Sequence, residues 1–333
     1  MKEALYWGRT EDGLIRCELC PHGCVIGEGR HGRCGVRHVE SGRLVASGYG
    51  CISSANLDPI EKKPLYHFLP GSMIFSIGGW GCNFSCKFCQ NWSISQKVML
   101  DGGRITPEVV VRKALECGSV GIAYTYNEPF IGMEFLADCA GLAREKKLVN
   151  VAVTNGFVQP GPAAGILPLL DALNIDLKSI DDMFYREQCG GRLRPVQDFI
   201  VQCVGAGVHV ELTNLVIPGL NDSEDGFRQL AGWVAESAGR KVPLHLSAYH
   251  PDYKLSAPPT PGKTLETAYA ICVQELDYVY IGKVRGRLGQ DTRCPGCGHC
   301  LVERQGFDSH VTGLKGARCV KCGRVADMVM TSS

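Results

Sequence analysis

The chain has almost no net charge. Its 35 Lys and Arg offset 34 Asp and Glu to a formal +1 over 333 residues, which leaves no broad electrostatic footprint for nucleic acid or an anionic membrane. Long apolar runs are missing too: no segment nears the about 20 consecutive apolar residues that span a bilayer. Met1-Lys2-Glu3-Ala4-Leu5 starts polar and no apolar signal-peptide core follows it, so a cytoplasmic, reducing environment is expected. Against these absences one residue type is in excess. There are 18 cysteines, and clustered cysteines in a reducing compartment read as metal ligands rather than disulfides.

The cysteines fall into groups. Cys17, Cys20, Cys24 and Cys34 stand near the start, with Cys51 trailing. Cys82, Cys86 and Cys89 lie in the middle, and Cys294, Cys297, Cys300, Cys319 and Cys322 near the end. Cys117, Cys139, Cys189, Cys203 and Cys272 are scattered, and a free cysteine is by default a small buried hydrophobe. The middle triplet is the most specific. Three closely spaced thiolates suit three irons of a [4Fe–4S] cluster, whose full set is four. The fourth iron then lacks a protein ligand and can bind a small molecule and pass it an electron. The alternative is a zinc site with a borrowed ligand, although zinc sites usually close with a paired C-x2-C or a His.

The two ends offer further thiolates. Cys294-x2-Cys297 and Cys319-x2-Cys322 have zinc-ribbon spacing, with Cys300 and His299 as spare candidates and a rubredoxin-like iron site as the rival. So small a segment needs its metal to fold. Cys17-x2-Cys20-x3-Cys24-x9-Cys34 lies in a glycine-rich stretch expected to lack a core, where zinc or an auxiliary iron–sulfur cluster both fit. His22 and His31 are candidate substitutes for a cysteine.

Strand-like runs recur at 73–79, 120–126, 148–154, 172–177, 208–217 and 243–248. Helix-like segments lie between them: one opened by Pro107 with Thr106 as N-cap, and others near 130–146, 194–206, 223–238 and 264–276. This alternation argues for an α/β fold with a parallel sheet, either doubly wound or an incomplete barrel. Polar residues cluster after the strand-like runs: Asn127-Glu128, Thr154-Asn155, Asp176 with Lys178, and His250. Chemistry at the C-terminal strand ends is the barrel rule.

The triplet's spacing, with Phe88 just before Cys89, resembles the radical S-adenosylmethionine (SAM) enzymes. Tyr126-Asn127-Glu128-Pro129 resembles the Gly-Gly-Glu-Pro stretch of pyruvate formate-lyase activating enzymes, with Tyr and Asn replacing two glycines. Thr154-Asn155-Gly156-Phe157, Asn174 through Ile180, Tyr185 through Val196 and Glu211 through Asp222 follow the same pattern. The likeness covers roughly residues 70–285. Asp58 through Phe68 and the cysteine-bearing ends look like the radical SAM proteins of the AmmeMemoRadiSam system.

The resemblance implies a partial (β/α)6 barrel over residues 70–288. It is flanked by a Cys-rich metal-binding segment (1–69) and a zinc-ribbon-like segment (289–333). It implies a [4Fe–4S] cluster on Cys82, Cys86 and Cys89, with SAM as cosubstrate. The Phe88 backbone is expected at adenine, and Glu128 and Asn155 at SAM. Asp176 and Lys178 are expected beside SAM and substrate, Asn214 and Glu211 at its ribose or carboxylate, and His250 near it. Each has a plainer reading: Glu128 as a first-turn acid on the helix dipole, Asn155-Gly156 as a turn, Asp176–Lys178 as a structural ion pair, and His250 or His245 as merely hydrogen-bonded.

The implied activity is reductive SAM cleavage to a 5′-deoxyadenosyl radical that takes hydrogen from a protein or peptide substrate, such as a glycyl Cα–H. A flavodoxin- or ferredoxin-type donor would supply the electron, and the C-terminal ribbon is expected to help dock the substrate. The alternatives are radical modification of a small molecule or of a non-glycine peptide site, or a noncatalytic metal-binding adaptor. A methyltransferase of the polar kind lacks its glycine-rich SAM loop here.

Overall fold

Apolar residues near the N-terminus pack in spite of the glycines around them. In a computed structural model that describes residues 2–283 and 286–330, strands β1 (Trp7–Arg9), β2 (Ile15–Cys17) and β3 (Val25–Ile26) form a small antiparallel sheet. β4 (Arg37–Glu40) pairs with β5 (Arg43–Ala46). Ile15, Leu19, Ile26, Val39 and Leu44 are buried in the same core as the central region. The segment expected to lack a core therefore shares one. A buried Arg37–Glu134 ion pair, 3.0 Å long, ties it to the central helices.

The six apolar runs become strands β7 (Met73–Gly78), β8 (Gly121–Tyr124), β9 (Val149–Thr154), β10 (Ala172–Asp176), β11 (His209–Val216) and β12 (Leu244–Ala248). They pair in parallel and are largely buried on both faces, which is why they read as near-continuous apolar runs. Two strands were not legible beforehand. β6 (Ser54–Pro59) lies antiparallel on β7, and β13 (Val279–Gly282) continues the sheet parallel to β12. The eight strands stand in chain order with β6 and β13 at opposite edges. The sheet is thus open, an α/β architecture without barrel closure.

Helices α1 (Trp92–Ser95), α2 (Pro107–Glu116), α3 (Met133–Glu145), α4 (Pro160–Ile166), α5 (Asp182–Phe184), α6 (Leu193–Gly205), α7 (Glu224–Val234) and α8 (Gly262–Cys272) fill the connections. Ser223 caps α7 by accepting from the Gly226 N–H. Thr106 holds the N-cap position of α2 but its hydroxyl caps no backbone N–H. Helix α4 escaped notice because Pro160-Gly161-Pro162 looks like a loop, yet proline is tolerated in a first turn whose N–H groups have no partner anyway. Cys139, Cys189, Cys203 and Cys272 are buried as expected, whereas Cys117 is exposed.

Residues after β13 form β14 (Thr292–Arg293), β15 (Cys300–Gln305) and β16 (Asp308–Val311) in one antiparallel sheet, with β17 (Leu314–Lys315) paired to β18 (Arg318–Cys319). This unit docks on Tyr66 through Leu69, Lys241 and Tyr278. Val329 N donates to the His67 carbonyl at 2.7 Å, Leu69 N to the Val329 carbonyl at 2.8 Å, and Tyr278 Oη to Asp327 at 2.9 Å. Those residues precede β7, β12 and β13. The ribbon therefore sits at the N-terminal ends of the strands, the opposite end from the Cys82 loop, and not where it would help dock a substrate over that loop.

Candidate active site

Parallel strands deliver their C-terminal ends to one side of the sheet, and the cysteine loop starts there, directly after β7. Cys86 is buried, and Cys82 and Cys89 are half-buried. Phe84 N lies 3.3 Å and Asn155 Nδ2 3.6 Å from Cys82 Sγ, both as donors, and Cys89 Sγ is 3.1 Å from Ser95 Oγ of α1. Donors of this kind favour thiolate over thiol. Without a metal, burial pushes Cys82 well above the usual thiol range, with Glu128 and Cys86 adding to the rise. Cys189, taken as a core residue, donates toward Cys86 and draws its thiol down. Its own segment is laced to the loop by Ser85 N to the Cys189 carbonyl at 2.8 Å.

The segment after β8 shows how Tyr and Asn replace two glycines. Tyr126 adopts φ of +72°, a left-handed conformation that glycine reaches freely and a tyrosine reaches only under constraint. The constraint is visible. Asn56 Nδ2 donates to Tyr126 Oη at 3.1 Å, and Tyr126 Oη donates to Asp58, which is also paired with Lys63 at 2.7 Å. Gly78 has no room for a side chain beside it, since a Cβ there would stand 2.9 Å from the Tyr126 ring. Asn127 then wires the turn to the cysteine loop: its Oδ1 accepts from Gly79 N and its Nδ2 donates to the Gly81 carbonyl, each at 2.9 Å.

Glu128 is 3% exposed. Its carboxylate accepts from Phe130 N at 3.0 Å, Thr154 Oγ1 at 2.8 Å and Asn155 N at 2.8 Å, so β8 and β9 share it. Burial pushes it up to about 7 although these three donors favour the ionised form. The plainer reading of Glu128 holds in that it caps its own short helix, and it also lies close enough to the cysteine loop to raise Cys82. Asn155 donates to Asn83 Oδ1 at 2.8 Å, so the turn after β9 is part of the same network.

Asp176 and Lys178 do form an ion pair, 2.8 Å long and partly exposed. Burial opposes the Lys178 charge, but Asp176, Cys86 and Cys189 hold its ammonium well above the usual lysine range. Lys178 also lies 5.8 Å over the Phe88 ring. Asn214 Nδ2 donates to the Leu177 carbonyl at 2.8 Å, while its buried Oδ1 has no partner among the described residues. That orphan acceptor fits a ligand donor. His250 is exposed and accepts from Gln90 Nε2 at 3.0 Å, and Gln90 Oε1 accepts from Lys283 Nζ at 2.6 Å. Gln90 was not singled out from the sequence.

Glu211 is a correction. Its carboxylate accepts from Tyr66 N at 3.0 Å and His67 N at 2.7 Å, and from His209 at 3.0 Å and His245 at 2.7 Å. It stands third in β11, opposite Asn174, and binds the chain before β7, so it locks the N-terminal side of the sheet instead of facing SAM. Against its burial, the two histidines hold it well below the usual carboxylate range.

At the C-terminus, Cys294, Cys297, Cys319 and Cys322 bring their sulfurs within 4.8 Å of one another. The Cys294–Cys322 and Cys297–Cys319 separations are 3.6 and 3.8 Å. Tetrahedral bonds of about 2.3 Å to one zinc ion put sulfurs about 3.8 Å apart, so the donor set fits a single closed ion. Cys300 and His299 lie outside it. At the N-terminus Cys17, Cys20, Cys24 and Cys34 line one pocket. His22 lines it too, but its Nε2 is engaged with the Asn83 carbonyl. His31 instead stacks on His38 at 5.1 Å. Cys51 lines a separate cavity with Trp80 and Glu128.

A profile of the Radical SAM superfamily matches residues 77–231. The chain is 42% identical over 336 residues to an uncharacterized protein of Methanocaldococcus jannaschii, covering 99% of this chain and 100% of that one. It is 27% identical over 179 residues to the pyruvate formate-lyase-activating enzyme of Clostridium pasteurianum, covering 51% of this chain and 72% of that one. Among solved structures, a radical SAM methyltransferase from Sphaerobacter thermophilus superposes with a TM-score of 0.50 at 17% identity, over 64% of this chain and 67% of that one. That is a likeness of fold.

Proposed function

The chain belongs to the radical SAM superfamily and is homologous to pyruvate formate-lyase activating enzymes, and from that premise we propose that Cys82, Cys86 and Cys89 hold a [4Fe–4S] cluster at which SAM is reductively cleaved. Such a pair, when bound, supplies a 5′-deoxyadenosyl radical able to take hydrogen from carbon. The chain's own residues bind and shield. Glu128 offers a buried carboxylate to the SAM ammonium, and Asn214 Oδ1 an unused acceptor. Asp176 and Lys178 form a charged wall beside Phe88, and His250, Gln90 and Lys283 rim the opening. Asn155 and the Phe84 N–H support the Cys82 thiolate. The observation that carries this reading is the convergence of an unclosed thiol triplet with Glu128, Asp176 and Asn214 from three different strands.

The substrate is a protein or peptide, and the electron comes from a flavodoxin- or ferredoxin-type donor. Homology to activating enzymes is the support for both. The test is the anaerobic full chain, reconstituted with iron and sulfide, reduced and given SAM. Deoxyadenosine should form, and Cys86→Ala should abolish it. Reconstituted protein that binds SAM yet forms none would defeat the reading. Deuterium moving from a labelled candidate peptide into deoxyadenosine would identify the substrate class.

A further inference from the structure

Gly81 and Asn83, the two neighbours of Cys82, both touch the N-terminal cysteine segment. A Cβ at Gly81 would stand 2.2 Å from the Cys34 carbonyl oxygen, so glycine alone lets these backbones meet. On the other side His22 Nε2 donates to the Asn83 carbonyl at 2.7 Å. Asn83, His22 and all four N-terminal cysteines line one cavity. Arg37 lines it as well. It is 1% exposed, and its Nε has no partner among the described residues. A buried N–H left unused among four thiols is a donor in want of an anionic acceptor.

The C-terminal tetrad shows within this molecule what a single-ion site looks like. Among the described residues only that tetrad draws three or more ligand atoms within 4.8 Å of one another. The sulfurs of Cys17, Cys20, Cys24 and Cys34 are not gathered in that way, nor are those of Cys82, Cys86 and Cys89; the first four line one cavity. Ligands held apart suit a cluster, whose irons and sulfides stand between them; one zinc ion would gather them.

We propose that Cys17, Cys20, Cys24 and Cys34 hold a second iron–sulfur cluster, separated from the Cys82 site only by the shared wall of residues 81–83. The site stands on its own cavity and ligands; only the identity of its neighbour rests on the proposed function.

The test replaces Cys82, Cys86 and Cys89 together by Ala in the full chain and reconstitutes it anaerobically with iron and sulfide. About half of the wild-type acid-labile sulfide should remain for a [4Fe–4S] cluster and about a third for a [2Fe–2S] one, and adding Cys20→Ala and Cys34→Ala should remove it. A triple variant with zinc and no labile sulfide overturns the proposal. Should the variants not fold, the reduced wild-type chain decides by electron paramagnetic resonance. Two signals broadened by mutual coupling, with SAM shifting one, support the second cluster, and a single signal shifted entirely by SAM overturns it. Sulfide retained in the triple variant while the wild type makes no deoxyadenosine would uphold this inference and defeat the functional reading.

Discussion

Glu128 shows how one side chain can carry opposed demands. Its carboxyl sits at about 7 against an ordinary 4.5, so between those values the folded SAM-free chain holds a proton the unfolded chain has released. Raising pH through that window therefore lowers stability, by an amount on the order of 3 kcal/mol at most. Glu128→Gln should remove that slope, and the comparison is the unfolding free energy of both proteins from pH 5 to pH 8. Equal slopes would mean the carboxyl is not held protonated. Tyr126 gives a second residue-scale prediction. Tyr126→Phe keeps the left-handed turn but deletes the hydroxyl's hydrogen bonds with Asp58 and Asn56, so stability should fall by about 2 kcal/mol. A larger loss with altered SAM binding would show that the hydroxyl also fixes the Glu128 turn.

At the scale of elements, the sheet has two chemically different ends. Glu211 binds the start of β11 to the chain before β7, and its carboxylate serves two backbone N–H groups and two histidines. Glu211→Ala leaves those buried donors unpaired and should cost about 3 kcal/mol or more. SAM affinity of the folded fraction should not change, because the residue lies away from the cysteine loop. Denaturant melts with and without SAM check both halves. The pH sign is opposite to that of Glu128. Held below its ordinary 4.5, Glu211 stabilises above that value, and the contribution is lost as pH falls through its folded-state value.

Across the whole molecule, the ribbon closes the end that the chemistry does not use. Cys319→Ser opens the tetrad, and because binding a structural metal is part of folding such a unit, amide exchange across β15 and β16 should rise by roughly tenfold or more. The loosening should reach Leu69 and His67, which pair with Val329, and should spare the Cys82 loop. Exchange confined to the loops around Cys322 would instead show that Leu301 and Val302 hold the unit without metal.

The sequence by itself determined what is local and compositional. Cysteine spacing marked three groups of candidate ligands, and strands buried on both faces announced six runs within two residues of β7 through β12. Tertiary structure alone decided everything that depends on distant residues meeting. Glu211 and Asn214 stand three residues apart on β11, and only the packing of Tyr66 and His67 against one assigns them to opposite roles. Tyr126 could keep a glycine's conformation only because Asp58, 68 residues earlier, holds its hydroxyl. Whether four thiols gather within 4.8 Å or line a cavity is likewise absent from their spacing, since that distance is set by the core each segment finds to pack against.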